Sequence, residues 1–73
     1  MSYLPEAVRD ITTRIRSEYL EMPGMQLTLG QAARLFDTDP GSVETALNRL
    51  VASSFLRHTG AFYVRADVGR RAA

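Results

Sequence analysis

The stretch DTDPGSVETALNRL, residues 37–50, decides the fold because it joins a helix start to a helix with one apolar face. Asp39 precedes Pro40, and a residue before proline is pushed out of helical geometry, as an N-cap residue must be. Pro40 then suits the first helical position. The inner face is formed by Val43, Ala46, Leu47, Leu50 and Val51, with Phe55 continuing it. This spacing predicts a helix from Pro40 to about Ser53.

The residues just before this stretch predict a shorter helix. Thr28 fits an N-cap, and Gln31, three residues on, completes a capping box. The apolar positions that follow are Leu29, Ala32, Ala33, Leu35 and Phe36. MQLT at residues 25–28 predicts a short strand before the helix. The connection to the next helix is short, so the two helices must meet at a steep angle.

The N-terminal segment LPEAVRDITTRIRSEYL, residues 4–20, predicts a long amphipathic helix. Its apolar stripe consists of Leu4, Val8, Ile11, Ile15 and Tyr19. Pro5 suits the first helical position, and Glu6 suits the positive N-terminal end of the helix. MPG at residues 22–24 ends the helix, because proline cannot continue the hydrogen-bond ladder.

After the third helix, the segment FLRHTGAFYVRA at residues 55–66 predicts a β-hairpin around Thr59-Gly60. A turn there pairs Leu56 with Tyr63, Phe55 with Val64 and Arg57 with Phe62. We expect the two phenylalanines and Val64 to face the helices. Because Thr-Gly is a weaker turn signal than Asn-Gly, a shifted register stays open. Residues 67–73 show no periodicity and predict a flexible basic tail.

The order of helix, short strand, helix, tight turn, helix and hairpin resembles the winged helix-turn-helix superfamily. The resemblance runs from about Leu4 to Arg65 and is carried by TLGQAARLFDTDPGSVETALNRLVASSFLRHTGAFYVR, residues 28–65. It implies a single α+β domain over residues 4–66, with three helices and a C-terminal β-hairpin wing, in which Ala32 and Leu35 pack in the core. The chain departs from the family's pattern at Ser54, where many members carry a glycine that turns the chain out of the helix.

The resemblance implies a function, because most members of this superfamily bind DNA. The chain would then be a sequence-specific DNA-binding protein and transcriptional regulator, with helix 40–53 in the major groove and hairpin 55–66 as the wing. Arg49 would contact guanine and Asn48 adenine, while the other residues contact phosphates or the minor groove. The implied DNA-binding residues are Ser42, Thr45, Asn48, Arg49, Arg57, His58 and Arg65. The implied partners are double-stranded DNA and a second copy of the chain or a larger protein.

The charge pattern favours an alternative, a winged-helix protein–protein interaction module without DNA binding. Net charge is only +1, and all nine basic residues are arginines. Glu44 lies on the outer face of the predicted recognition helix, where phosphate would repel it, and Asp37 and Asp39 add negative charge at the helix start. A further interpretation also stays open, in which the outer face of the helix is only a solvated surface that binds no partner. Arg70 and Arg71 add positive charge near the chain end.

Other classes of function find little support in the sequence. The chain has 73 residues and no cysteine, which excludes disulfides and thiolate metal sites. His58 is the single histidine, and no glycine-rich phosphate loop or nucleophile–base pair is visible. We therefore expect neither an enzyme nor a bound cofactor or metal. No apolar run is long enough for a membrane helix and no secretory signal is visible, so we expect a cytoplasmic protein.

Overall fold

The computed structural model describes residues 6–67, which form a small α+β domain of three helices and one three-stranded antiparallel sheet. In chain order the elements are α1 (Glu6–Glu21), β1 (Leu27–Thr28), α2 (Leu29–Leu35), α3 (Pro40–Ala52), β2 (Leu56–Thr59) and β3 (Phe62–Arg65). β3 lies in the middle of the sheet, between β1 and β2. The predicted start of the first helix at Leu4 and Pro5, and nearly all of the predicted tail, lie outside the described residues. Within residues 6–67, no helix has the length and apolar character needed to cross a membrane.

The core lies between α1, α3 and the inner face of the sheet. The predicted stripe of α1 is confirmed from Val8 to Tyr19, since Ile15 and Tyr19 are fully buried and Val8 and Ile11 nearly so. α3 contributes Val43, Ala46, Leu47 and Leu50, all buried as expected. The hydroxyl of Tyr19 donates a hydrogen bond to the carbonyl oxygen of Tyr63 at 2.7 Å, which joins α1 to β3 inside the core.

Both predicted helix starts are confirmed. The Thr28 side chain accepts from the Gln31 backbone N–H at 3.1 Å, and the Gln31 side chain accepts from the Thr28 backbone N–H at 3.0 Å. At α3, Asp39 is the N-cap and its carboxylate accepts from the Ser42 backbone N–H at 2.9 Å. Each cap satisfies N–H groups that the first turn of a helix leaves without a partner.

The expectation that Leu35 packs in the core was wrong, because this side chain is 55% exposed. Successive helix residues turn by about 100°, so the inner face that contains Ala32 and Phe36 leaves Leu35 roughly a quarter turn away. The buried side of α2 instead consists of Ala32 and Phe36, with Leu29 and Ala33 partly covered. A helix of seven residues has room for only this narrow stripe.

The chain leaves α2 and α3 in the same way. Asp37 and Ser54 have positive φ angles of 52° and 68°. At the end of α3, the Ser54 N–H donates to Val51 O and the Phe55 N–H to Leu50 O, both at 3.0 Å. After α2, the Asp37 N–H donates to Arg34 O at 3.2 Å and the Thr38 N–H donates to Ala33 O at 3.1 Å. These are Schellman motifs, in which the left-handed position usually carries glycine. Ser54 thus holds a conformation that glycine adopts without strain.

The hairpin forms with a different turn from the one predicted. Gly60 and Ala61 occupy the turn, and Gly60 has a φ of 59°. Glycine at the first turn position is typical of type II′ hairpins. The strands therefore pair Leu56 with Arg65, Arg57 with Val64, His58 with Tyr63 and Thr59 with Phe62.

The predicted inner face of the hairpin was also wrong. Leu56 and Tyr63 are buried, whereas Phe62 is 39% exposed on the opposite face of the sheet with Val64. Phe55 does pack against the core, half-buried, but it lies in the turn out of α3 rather than in a strand, so the strand begins one residue later. That placement starts β2 with Leu56 pointing into the core.

Candidate functional site

The outer face of α3 is the first candidate surface, because its opposite face is buried. Thr45, Asn48 and Arg49 are exposed there, together with Glu44. Asn48 and Arg49 make no side-chain hydrogen bond or ion pair with any other residue in the range 6–67. The Thr45 hydroxyl donates to the Gly41 carbonyl oxygen at 3.0 Å within the helix. Within that range, the side chains of Asn48 and Arg49 are thus available to a partner.

The start of α3 is less open to an anion than a helix start usually is. The Asp39 carboxylate occupies it, and hydrogen bonds from the backbone and side chain of Ser42 lower the pKa of Asp39. Asp37 is exposed in the preceding turn. A phosphate near these residues would meet carboxylates before it reached free N–H groups. Ser42 therefore contacts the N-cap residue Asp39, and the part of α3 that is available to a partner lies further along the helix.

Glu44 lies near the junction of α3 and the sheet. The pKa of the Tyr63 hydroxyl is raised by burial and, to a smaller extent, by the negative charge of Glu44. The negative charge of Glu44 therefore also acts on the Tyr63 hydroxyl of the sheet.

His58 is placed by an aromatic stack. Its ring lies 4.1 Å from the ring of Tyr63, measured between centroids, and the two planes are only 6° apart. Because His58 and Tyr63 are cross-strand partners, the stack fixes the histidine on the face of the hairpin that turns toward the helices. The pairing of this histidine was not visible in the sequence, since it depends on the corrected register.

Arg65 is engaged inside the domain. Its guanidinium forms an ion pair with Asp67 at 3.0 Å and approaches the carbonyl oxygen of Tyr19 at 3.5 Å. It also stacks over the Phe55 ring, 4.6 Å from the centroid, while the guanidinium of Arg16 lies 5.1 Å from the same ring. The Arg65 side chain is only 16% exposed. These contacts tie β3 to the end of α1 and leave little of Arg65 for an external partner.

Arg57 lies on the other face of the sheet, where it borders a groove. This outer groove has a volume of about 300 Å³ and is lined by residues 23–26, Arg57, Thr59, Phe62, Val64 and Arg65. Arg57 is exposed and makes no ion pair with any residue that the structure describes. Arg65 also borders this groove, but its guanidinium is paired with Asp67, whereas Arg57 has no such pair among residues 6–67.

The structure thus brings together only part of the predicted set. Thr45, Asn48 and Arg49 share one face, with Ser42 at its edge, while Arg57 lies on the outer face of the sheet. Arg70 and Arg71 lie outside the described residues. Among residues 6–67, no group of three or more acidic or histidine side chains is arranged to hold a metal ion. Comparisons with protein families, curated proteins and solved structures found no match to this chain.

Proposed function

We propose that this chain is a winged helix-turn-helix domain that binds duplex DNA sequence-specifically and acts as a transcriptional regulator. α3 would enter the major groove, and the β2–β3 hairpin would serve as the wing. The observation that carries the proposal is the outer face of α3, where Asn48 and Arg49 extend from a helix firmly anchored by its opposite face. Both side chains are free of hydrogen-bonded partners among residues 6–67.

The chemistry of these side chains suits base recognition. An arginine guanidinium donates two hydrogen bonds to O6 and N7 of guanine, and an asparagine amide pairs with N6 and N7 of adenine. Asn48 and Arg49 are adjacent, so together they would read neighbouring bases. The carboxylates near the start of α3 oppose phosphate, which favours docking by the middle of the helix. His58 would approach the backbone from the hairpin.

The charge of the domain predicts a modest electrostatic contribution to binding. Residues 6–67 contain seven arginines against eight aspartates and glutamates. Each phosphate neutralised lowers the slope of log affinity against log salt by about 0.9. A footprint with two or three such contacts gives a slope near −2 to −3, and weak binding by one domain. We therefore propose that a second copy or a larger protein contributes to occupancy of a full site.

The test is selection from a random duplex library at low salt, followed by fluorescence anisotropy on the enriched sequence. Arg49→Ala removes the guanine contact and should weaken binding by about 1–3 kcal/mol at one base position. Arg9→Ala is the matched control, because it makes the same charge change on the exposed surface of α1. Failure to enrich any sequence, or an equal loss in both variants, refutes the proposal.

A second candidate function is a protein–protein interaction module that uses the same face of α3. It is favoured by the carboxylates of Asp37, Asp39 and Glu44, which surround the start of the helix and repel DNA. A protein partner with basic side chains would instead pair with them. This function requires that neutralising Glu44 as Glu44→Gln weakens partner binding, whereas the DNA function requires that the same change strengthens binding to duplex.

A further inference from the structure

The outer face of the sheet carries a groove that the proposed DNA contacts do not use. Residues directly opposite each other in antiparallel strands share a face, so Arg57 lies beside Val64 and Thr59 beside Phe62. β3 is the central strand, and the loop of residues 23–26 leads into β1 on its far side. Phe62 and Val64 therefore form the floor of the outer groove, with the loop as one wall and β2 as the other.

The floor of this groove is apolar, and its loop wall combines apolar side chains with Gln26. Phe62 is 39% exposed although it is a large aromatic residue, and Met25 and Pro23 contribute to the loop wall. Met22, next to the loop, is 56% exposed and extends the apolar surface beyond the groove itself. Methionine side chains adapt readily to different apolar partners. The surface thus continues past a volume that one small molecule would fill.

The opposite wall of the groove is positively charged. Arg57 stands there without an ion-pair partner among residues 6–67, and the lining contains no acidic residue. An occupant therefore gains from burying an apolar group on Phe62 and Val64 and from placing a carboxylate beside Arg57. A cationic occupant would gain no such contact.

We propose that the outer groove binds a short extended segment of a partner protein, in which an apolar side chain is followed two residues later by aspartate or glutamate. In an extended chain, residues i and i+2 point to the same side, roughly 7 Å apart. Diagonal neighbours in a sheet, such as Phe62 and Arg57, are separated by a similar distance. The apolar and the acidic side chain of the segment can therefore contact Phe62 and Arg57 at the same time.

A segment is favoured over a small anion by the shape of the site. Pockets for drug-sized ligands enclose most of the ligand surface in about 300–1,000 Å³. This groove lies at the lower limit of that range, and its apolar surface extends to Met22. An extended peptide segment can occupy the groove and also contact the exposed apolar surface beside it. The groove is also on the face of the sheet that turns away from the helices, so the segment and a duplex on α3 do not compete.

The experiment uses the full chain, labelled with ¹⁵N, and the peptide acetyl-Gly-Leu-Ser-Asp-Gly-amide in an NMR titration. We expect shifts at Met25, Arg57, Phe62 and Val64. A peptide with Asn for Asp should bind about two- to fivefold more weakly, as expected for an exposed ion pair. A peptide with Ala for Leu should lose most of the binding. These peptide changes leave the domain untouched, so loss of binding cannot result from misfolding.

Protein variants test the same contacts from the other side. Arg57→Gln should remove the preference for Asp over Asn in the peptide, and Arg34→Gln, a matched change on α2 outside the groove, should retain it. The proposal is overturned if the original chain binds the Asp and Asn peptides equally, or if the chemical-shift changes are confined to α3. It is also overturned if 4-methylpentanoate binds as tightly as the peptide, or if the chain dimerises through this face and Phe62→Ser makes it monomeric. None of these outcomes depends on DNA binding.

Discussion

Replacing Ser54 by glycine should stabilise the domain, because Ser54 holds a left-handed conformation at the end of α3. Its φ is 68°, and the two backbone bonds of the Schellman motif fix it there. A left-handed residue other than glycine costs roughly 1–2 kcal/mol. Glycine recovers this energy but loses about 0.5–1 kcal/mol to the greater freedom of the unfolded chain. The expected net gain is about 0.5–1 kcal/mol, which raises Tm by about 2–8 °C in a domain of this size.

The assay is thermal and urea unfolding followed by circular dichroism, with Ser53→Gly as the matched control. Ser53 is one residue earlier, has a φ of −87°, and its hydroxyl donates to Leu50 O at 3.0 Å. Glycine there relieves no strain and removes a hydrogen bond, so it should destabilise the domain. If Ser54→Gly is no more stable than the original chain, or if both variants gain equally, the assignment of strain to Ser54 is wrong.

Three further changes test the core, the α3 cap and the corrected face of α2. Tyr19→Phe removes the buried hydrogen bond to Tyr63 and should cost about 1–3 kcal/mol in urea unfolding at neutral pH. Burial raises the pKa of Tyr19 from 10.0 to about 12, so wild-type stability should be intact below pH 10 and fall as pH rises toward 12, more steeply than in the phenylalanine variant. Asp39→Asn should keep the cap and strengthen duplex binding in anisotropy titrations, whereas Asp39→Ala should lower Tm. Leu35→Lys should change the free energy of unfolding by less than about 0.5 kcal/mol, whereas Leu50→Ala should cost about 2–5 kcal/mol.

Local signals in the sequence predicted the helices well. A proline after a capping residue, a capping box and an apolar stripe each depend on residues close in the chain, so α2 and α3 begin where Thr28 and Asp39 indicated and α1 buries the stripe from Val8 to Tyr19. The short strand before α2 was predicted for the same reason. Leu35 was misplaced because a seven-residue helix shows too few turns to define the phase of its apolar face.

The hairpin could not be predicted in the same way, because both of its faces carry large apolar residues. Phe62 and Val64 on one face are as hydrophobic as Leu56 and Tyr63 on the other. The choice depends on contacts distant in sequence, above all the bond from Tyr19 to the Tyr63 carbonyl, 44 residues away. No pattern within residues 55–66 contains that information.

Arg57 and Arg65 differ in their contacts because of this register, and the difference reduces the number of arginines available for the proposed DNA contact. Arg65 points inward with Leu56 and is used to hold β3 against α1, whereas Arg57 points outward with Val64. Of these two hairpin arginines, Arg57 is therefore the one without an ion-pair partner among residues 6–67. Arg49 is the one arginine of α3 itself, so this helix contributes little positive charge to the proposed footprint. The proposed sequence-specific complex would then depend on base contacts and on a second protein, and the outer groove would offer a surface for that protein while α3 stays available to DNA.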